Sequence, residues 1–162
     1  MIDLTTEELA ETLAVHHAIW FRRNPTASIV QTCLIFREDG EQVAVPCGWG
    51  NEFERQLMVG ILRATMIAES AVRYAIWSEV WMVTGGFPDD YRHGDLARSP
   101  DRVEAVFTLV VEASGAMAVR LQKIIRGKNG GVRRLEPLEG PLTDVVKGFG
   151  VLGDLLPERT FN

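Results

Sequence analysis

Residues 104 to 126 read Glu104-Ala-Val-Phe-Thr-Leu-Val-Val-Glu-Ala-Ser-Gly-Ala-Met-Ala-Val-Arg-Leu-Gln-Lys-Ile-Ile-Arg126. Two β-branched, apolar runs, Glu104 to Ala113 and Met117 to Arg126, flank Ser114-Gly115-Ala116, which is the signature of an antiparallel hairpin. A three-residue turn pairs Ala113 with Met117, Val111 with Val119 and Leu109 with Leu121, so one face is apolar, while Glu104 meets Arg126 on the other. A two-residue turn would set Leu109 against Arg120 instead, and a one-residue slip turns every side chain to the wrong face.

Upstream, residues 28 to 36 alternate and are rich in β-branched side chains. Asp39-Gly40 then supplies a two-residue hairpin turn. That register pairs Phe36 with Val43, Leu34 with Val45 and Thr32 with Cys47, which puts Cys33 and Cys47 on opposite faces and leaves no disulfide between them. Pro46 belongs at a strand end or on a sheet edge.

Two helices accompany the hairpins. Thr5-Thr6-Glu7-Glu8 has the form of a capping box, Leu9, Leu13, His16 or His17, and Trp20 recur at helical spacing, and Arg22-Arg23 precede the stop at Asn24-Pro25. Asn51 caps a second helix, for which Phe53, Leu57, Ile61, Ala64 and Ala68 are the expected buried stripe, ending near residues 71 to 74. Ala75 to Thr84 turns aromatic and β-branched and reads as a strand with Trp77, Glu79 and Trp81 on one face and Ile76, Val80 and Met82 on the other. Val132 to Leu135 adds a short edge strand. Helices that do not alternate with strands one by one imply an α+β fold: an antiparallel sheet of two hairpins plus a central strand, packed against two α-helices. The expected organisation is a single domain over residues 1 to 135 and a Gly/Pro-rich tail over 136 to 162 whose apolar residues, Leu155 and Leu156 among them, dock on a partner subunit.

The chain has 162 residues, 46% of them hydrophobic, and a net charge of -5. That is one domain's worth of core, and the acidic balance argues against a general nucleic-acid binder. No apolar stretch approaches the roughly 20 residues that cross a bilayer, and the first residues lack a secretion signal's basic start, so a cytoplasmic location without membrane contact is expected. The two cysteines fit no Cys-x-x-Cys spacing and read as buried small hydrophobes. No cofactor is expected: Gly148, Gly150 and Gly153 match the dinucleotide fingerprint in spacing, but too little chain follows for the helix and acidic residue it needs.

Three constellations could carry chemistry. Residues 85 to 102 form a long aperiodic segment, and within it Asp89, Asp90, His93 and Asp95 could hold a divalent metal or move protons, with Glu79 nearby, as in a small metal-dependent hydrolase. A solvated loop is the plainer reading. Arg126, Lys128, Arg133 and Arg134 gather around Asn129-Gly130-Gly131 and could meet phosphates or an acidic partner, or protect a sheet edge by charge. Trp77 and Trp81 flank Glu79, an arrangement that could stack a ring and would raise the carboxyl's pKa, or be packed by a helix while Glu79 pairs with Arg102.

Ser78-Glu79-Val80-Trp81, followed by Ser99-Pro100-Asp101-Arg102 and Glu104, resembles a pattern in small uncharacterised bacterial and phage-encoded proteins, over residues 74 to 112. The resemblance implies that Glu79, Asp101, Arg102 and Glu104 belong to one ionic arrangement holding the long loop against the sheet. With no nucleophile set beside a base, the leading expectation is a non-enzymatic accessory protein that binds a protein partner or forms a homo-oligomer, using the aromatic sheet face, the long loop and the apolar tail. The metal-dependent hydrolase and the anion or nucleic-acid binder are the alternatives.

Overall fold

The computed structural model describes residues 3 to 83, 100 to 138, and 155 and 156. The chain folds as α+β. Helix α1 (Thr6–Arg23) is followed by strands β1 (Thr32–Arg37) and β2 (Gln42–Pro46), helix α2 (Glu52–Ala68), and strands β3 (Ala71–Val83), β4 (Arg102–Glu112), β5 (Met117–Arg126) and β6 (Val132–Pro137). The strands form one antiparallel sheet in the order β2-β1-β3-β4-β5-β6.

The sheet is covered on both faces. Alternation along the strands sends Ile35, Tyr74, Ile76, Leu109 and Val111 to one side, where Val59, Leu62 and Met66 of α2 meet them. Phe36, Ala75 and Val110 point the other way onto Leu9, Ala10 and Leu13 of α1, and Phe21 continues that contact onto Val106, Ile124 and Val132. Helix α1 starts as its capping box dictates: Glu8 N–H donates to Thr5 Oγ1 (3.2 Å) and Thr5 N–H to the Glu8 carboxylate (2.8 Å). Arg120 on β5 ties down its first turns through Glu7 (2.8 Å) and Glu11 (3.1 Å).

The β1–β2 and β4–β5 hairpins close through three-residue loops with a left-handed glycine in the last position, Gly40 (φ 91°) and Gly115 (φ 88°). Arg37 N–H donates to Glu41 O and Glu112 N–H to Ala116 O, each at 2.9 Å, which frames the loops as residues 38 to 40 and 113 to 115. This corrects both sequence registers. In β4–β5 the loop lies one residue earlier than expected, so Leu109 faces Val119 and Val111 faces Met117. The slip is two residues, and the apolar face survives it. In β1–β2 the loop is three residues rather than two, so Ile35 faces Val43 and Cys33 faces Val45. That slip is one residue, and it reverses the faces. Cys33 and Cys47 consequently lie in the same core cluster, as free thiols. Burial pushes both thiol pKa values up, Cys47 to about 11, which leaves them protonated and unreactive.

Other boundaries also shift. Helix α2 ends at Ala68, and Ser70, with φ 49°, turns the chain straight into β3, so the strand begins four residues before the expected Ala75. β6 runs on to Pro137. Leu155 is buried against the α2 side of this chain's own core, with Leu156 packed beside it. The remainder of the expected tail, including Gly148, Gly150 and the apolar residues from 145 to 152, falls outside the described residues. No described helix is long and apolar enough to cross a membrane.

Candidate functional site

The tryptophans flanking Glu79 have separate roles. Trp77 packs under α1, its ring 5.5 Å from that of His17. Trp81 is 46% exposed, and the Arg102 guanidinium lies 4.8 Å above its ring, a cation–π contact at the sheet surface. Between them, Glu79 accepts a hydrogen bond from Ile29 N–H (2.6 Å) and so clamps the segment joining α1 to β1 across the sheet. Burial raises the Glu79 pKa, the bond from Ile29 opposes this, Glu104 adds to it by repulsion and Arg126 counters it. The raised value agrees with the sequence reading. The partner does not, since Arg102 is occupied by an indole and Glu79 by a backbone amide.

Glu104 and Arg126 form a two-pronged ion pair, with Arg126 Nε donating at 2.7 Å, and Arg126 also donates to Gly130 O (2.9 Å). Arg134 pairs with Glu136. Two of the four cations expected to make a basic patch are thus neutralised on the spot. Lys128 and Arg133 remain exposed near the end of α1, where Val132 N–H donates to Pro25 O (2.6 Å). Asp89, Asp90, His93 and Asp95 fall outside the described residues. Among the described residues no group of three or more potential ligands is placed to hold a metal.

A pairing the sequence reading missed is buried beneath α1. His17, 7% exposed, sits with Nδ1 3.4 Å from Thr108 Oγ1 and against Trp77, and this burial, helped by His16, lowers its pKa to about 4. Helical spacing to Leu9 and Leu13 admits His16 and His17 alike, so the burial of His17 is settled by packing, and nothing local marks Thr108, 91 residues on. At the opposite end of β3, Arg73 pairs with Glu112, and its Nη1 is buried without an acceptor among the described residues. It borders an open cleft of about 220 Å³ with Phe36, Val72 and Ser114.

The largest departure from expectation lies on α2. Its expected inner stripe faces out: Phe53 is 75% exposed, Leu57 56% and Ile61 44%, with Ala64 and Ala68 exposed as well, and Ile67 beside them is 63% exposed. The sheet is met instead by Met58, Val59, Leu62 and Met66. The helix starts from a side-chain cap, with Asn51 Oδ1 accepting from Glu54 N–H (2.9 Å) and Glu54 accepting from Gly50 N–H (2.6 Å). A side-chain carbon added at Gly60 would meet nothing within 4 Å. Four large apolar side chains at these exposures amount to roughly 500 Å², the size of patch that on a monomer is often functional. Compared with known proteins, the chain matches no family model, no curated protein and no solved structure.

Proposed function

We propose that this chain is an accessory protein of the bacterial or phage-encoded kind that works by protein contact, with the outer face of α2 as its contact surface. One observation supports the reading above the others: a helix capped at its N-terminus by Asn51 presents Phe53, Leu57, Ile61 and Ile67 to solvent while a separate stripe already holds it to the sheet. A helix needs one apolar stripe to fold, and a second one serves a partner. Helix-in-groove and helix-on-helix recognition both use anchors at this spacing.

The test is thiol footprinting of the full chain carrying Phe53→Cys, at a dilution where any assembly has dissociated. The native thiols are buried and stay silent. A cysteine at position 53 that alkylates at the rate of an unfolded control supports the contact surface. Strong protection in the dilute monomer would mean that the chain covers the stripe itself, and would overturn the reading.

A further inference from the structure

Resting on the contact surface proposed above, we infer that its partner is a second copy of this chain, packed antiparallel through α2. Phe53, Leu57, Gly60, Ala64 and Ile67 follow one another at spacings of four, three, four and three residues, which is the seam of a helix pair rather than the broader stripe of a helix on a sheet. Along that seam the bulk is uneven. The N-terminal half carries Phe53 and Leu57, and the next two positions are Gly60 and Ala64.

Two copies related by a two-fold axis near residues 58 and 59 set Phe53 of one chain against Ala64 of the other, and Leu57 against Gly60. Large meets small at all four central positions. The open space over Gly60 is the hole that a leucine from the second copy would fill. Parallel pairing would oppose phenylalanine to phenylalanine and glycine to glycine, leaving bulges and a void. It would also crowd the acidic first turns, each with Glu52 and Glu54, and align the helix dipoles. Antiparallel pairing sends both to opposite ends. At most about 500 Å² comes from each copy, roughly 1,000 Å² in all, which lies at the low end of interface sizes and fits a weak, reversible dimer.

The experiment combines light scattering of the full chain, from about 1 to about 100 μM, with thiol cross-linking. A dimer is expected at the upper end. Chains bearing Phe53→Cys, mixed with chains bearing Ala64→Cys, should cross-link as a heterodimer. Neither should link to itself, because each position then lies about 16 Å from its own counterpart, beyond disulfide reach. Gly60→Leu is the decisive variant. It adds helix propensity and points into open space on its own chain, so it folds, yet it fills the hole and should weaken the dimer at least about tenfold. Tighter association by Gly60→Leu, or self-linking by Phe53→Cys alone, would overturn antiparallel pairing. A strict monomer at the highest concentration with an alkylatable position 53 would overturn the second copy while sparing the contact surface, and a monomer protected there would overturn both.

Discussion

Protonation of His17 should release α1 from the sheet, and the size of the effect follows from its surroundings. Folded, the ring is confined between Thr108 and Trp77 and its pKa is lowered to about 4; the unfolded chain takes up the proton near 6.5. The unfolded state therefore binds more protons in the window between those values. The stabilising contribution is complete above 6.5 and is lost as the pH falls. Linkage puts the loss at about 2 kcal/mol between roughly pH 7 and pH 5, approaching about 3 kcal/mol below pH 4. His17→Phe keeps a ring against Trp77 but cannot charge. At neutral pH it should cost about 1 kcal/mol for the lost hydrogen bond. Near pH 5 the order reverses and the variant becomes the more stable chain. Glu79 acts in the opposite sense, since a carboxyl whose folded pKa is raised binds its proton more readily when folded and adds stability as the pH falls. It is present in both chains and cancels in the comparison. Urea denaturation followed by tryptophan fluorescence at several pH values reads the difference directly. A gap between the two chains that stays constant from neutral to acid pH would refute the burial of a neutral His17.

The two faces of α2 separate under alanine substitution: Leu62→Ala should cost about 2 to 5 kcal/mol in urea unfolding, whereas Leu57→Ala in the dilute monomer should stay within about 0.5 kcal/mol. Glu79→Ala leaves Ile29 N–H without its acceptor and should cost about 1 to 2 kcal/mol, with faster amide exchange at Ile29, while Glu79→Gln retains an acceptor oxygen and most of the stability. Ser70→Gly relieves a left-handed backbone and should raise the melting temperature by an amount equivalent to about 1 kcal/mol, whereas Gly115→Ala should lower it by a similar amount.

The sequence marks every described element and both helix starts, because capping residues, Asn-Pro stops and β-branched runs are local signals. What it marks poorly is anything decided by a count of one. Asp39-Gly40 and Ser114-Gly115 locate their turns, yet a glycine serves equally as the second residue of a two-residue loop or the last of a three-residue loop. At β4–β5 the error is an even number of residues and harmless, since Leu109 and Val111 still face the core. At β1–β2 it is odd, and it carries Cys33 and Cys47 onto one face. Helix α2 poses a different ambiguity, because it carries two apolar stripes. The sheet takes the one with Val59, Leu62 and Met66, whose large side chains run without a glycine and fill the gap that Gly60 and Ala64 would leave. A periodic pattern reports that a face is apolar but not what meets it. The site residues were less legible still. Glu79 finds a backbone amide 50 positions away and His17 a threonine 91 positions away, and neither distance leaves a local trace.

The rims of the sheet bear on how the protein behaves when concentrated. Among the described residues β2 and β6 form its two edges, and they end at Pro46 and Pro137. Proline supplies no ladder donor, and the exposed Arg133 further charges the β6 rim, so neither edge is a good template for another strand. Growth by strand addition has no natural stopping point, whereas a two-fold contact between helices is complete at two copies. A chain built this way can be sticky on one helix without being fibre-forming, and raising its concentration should yield small closed assemblies before it yields precipitate.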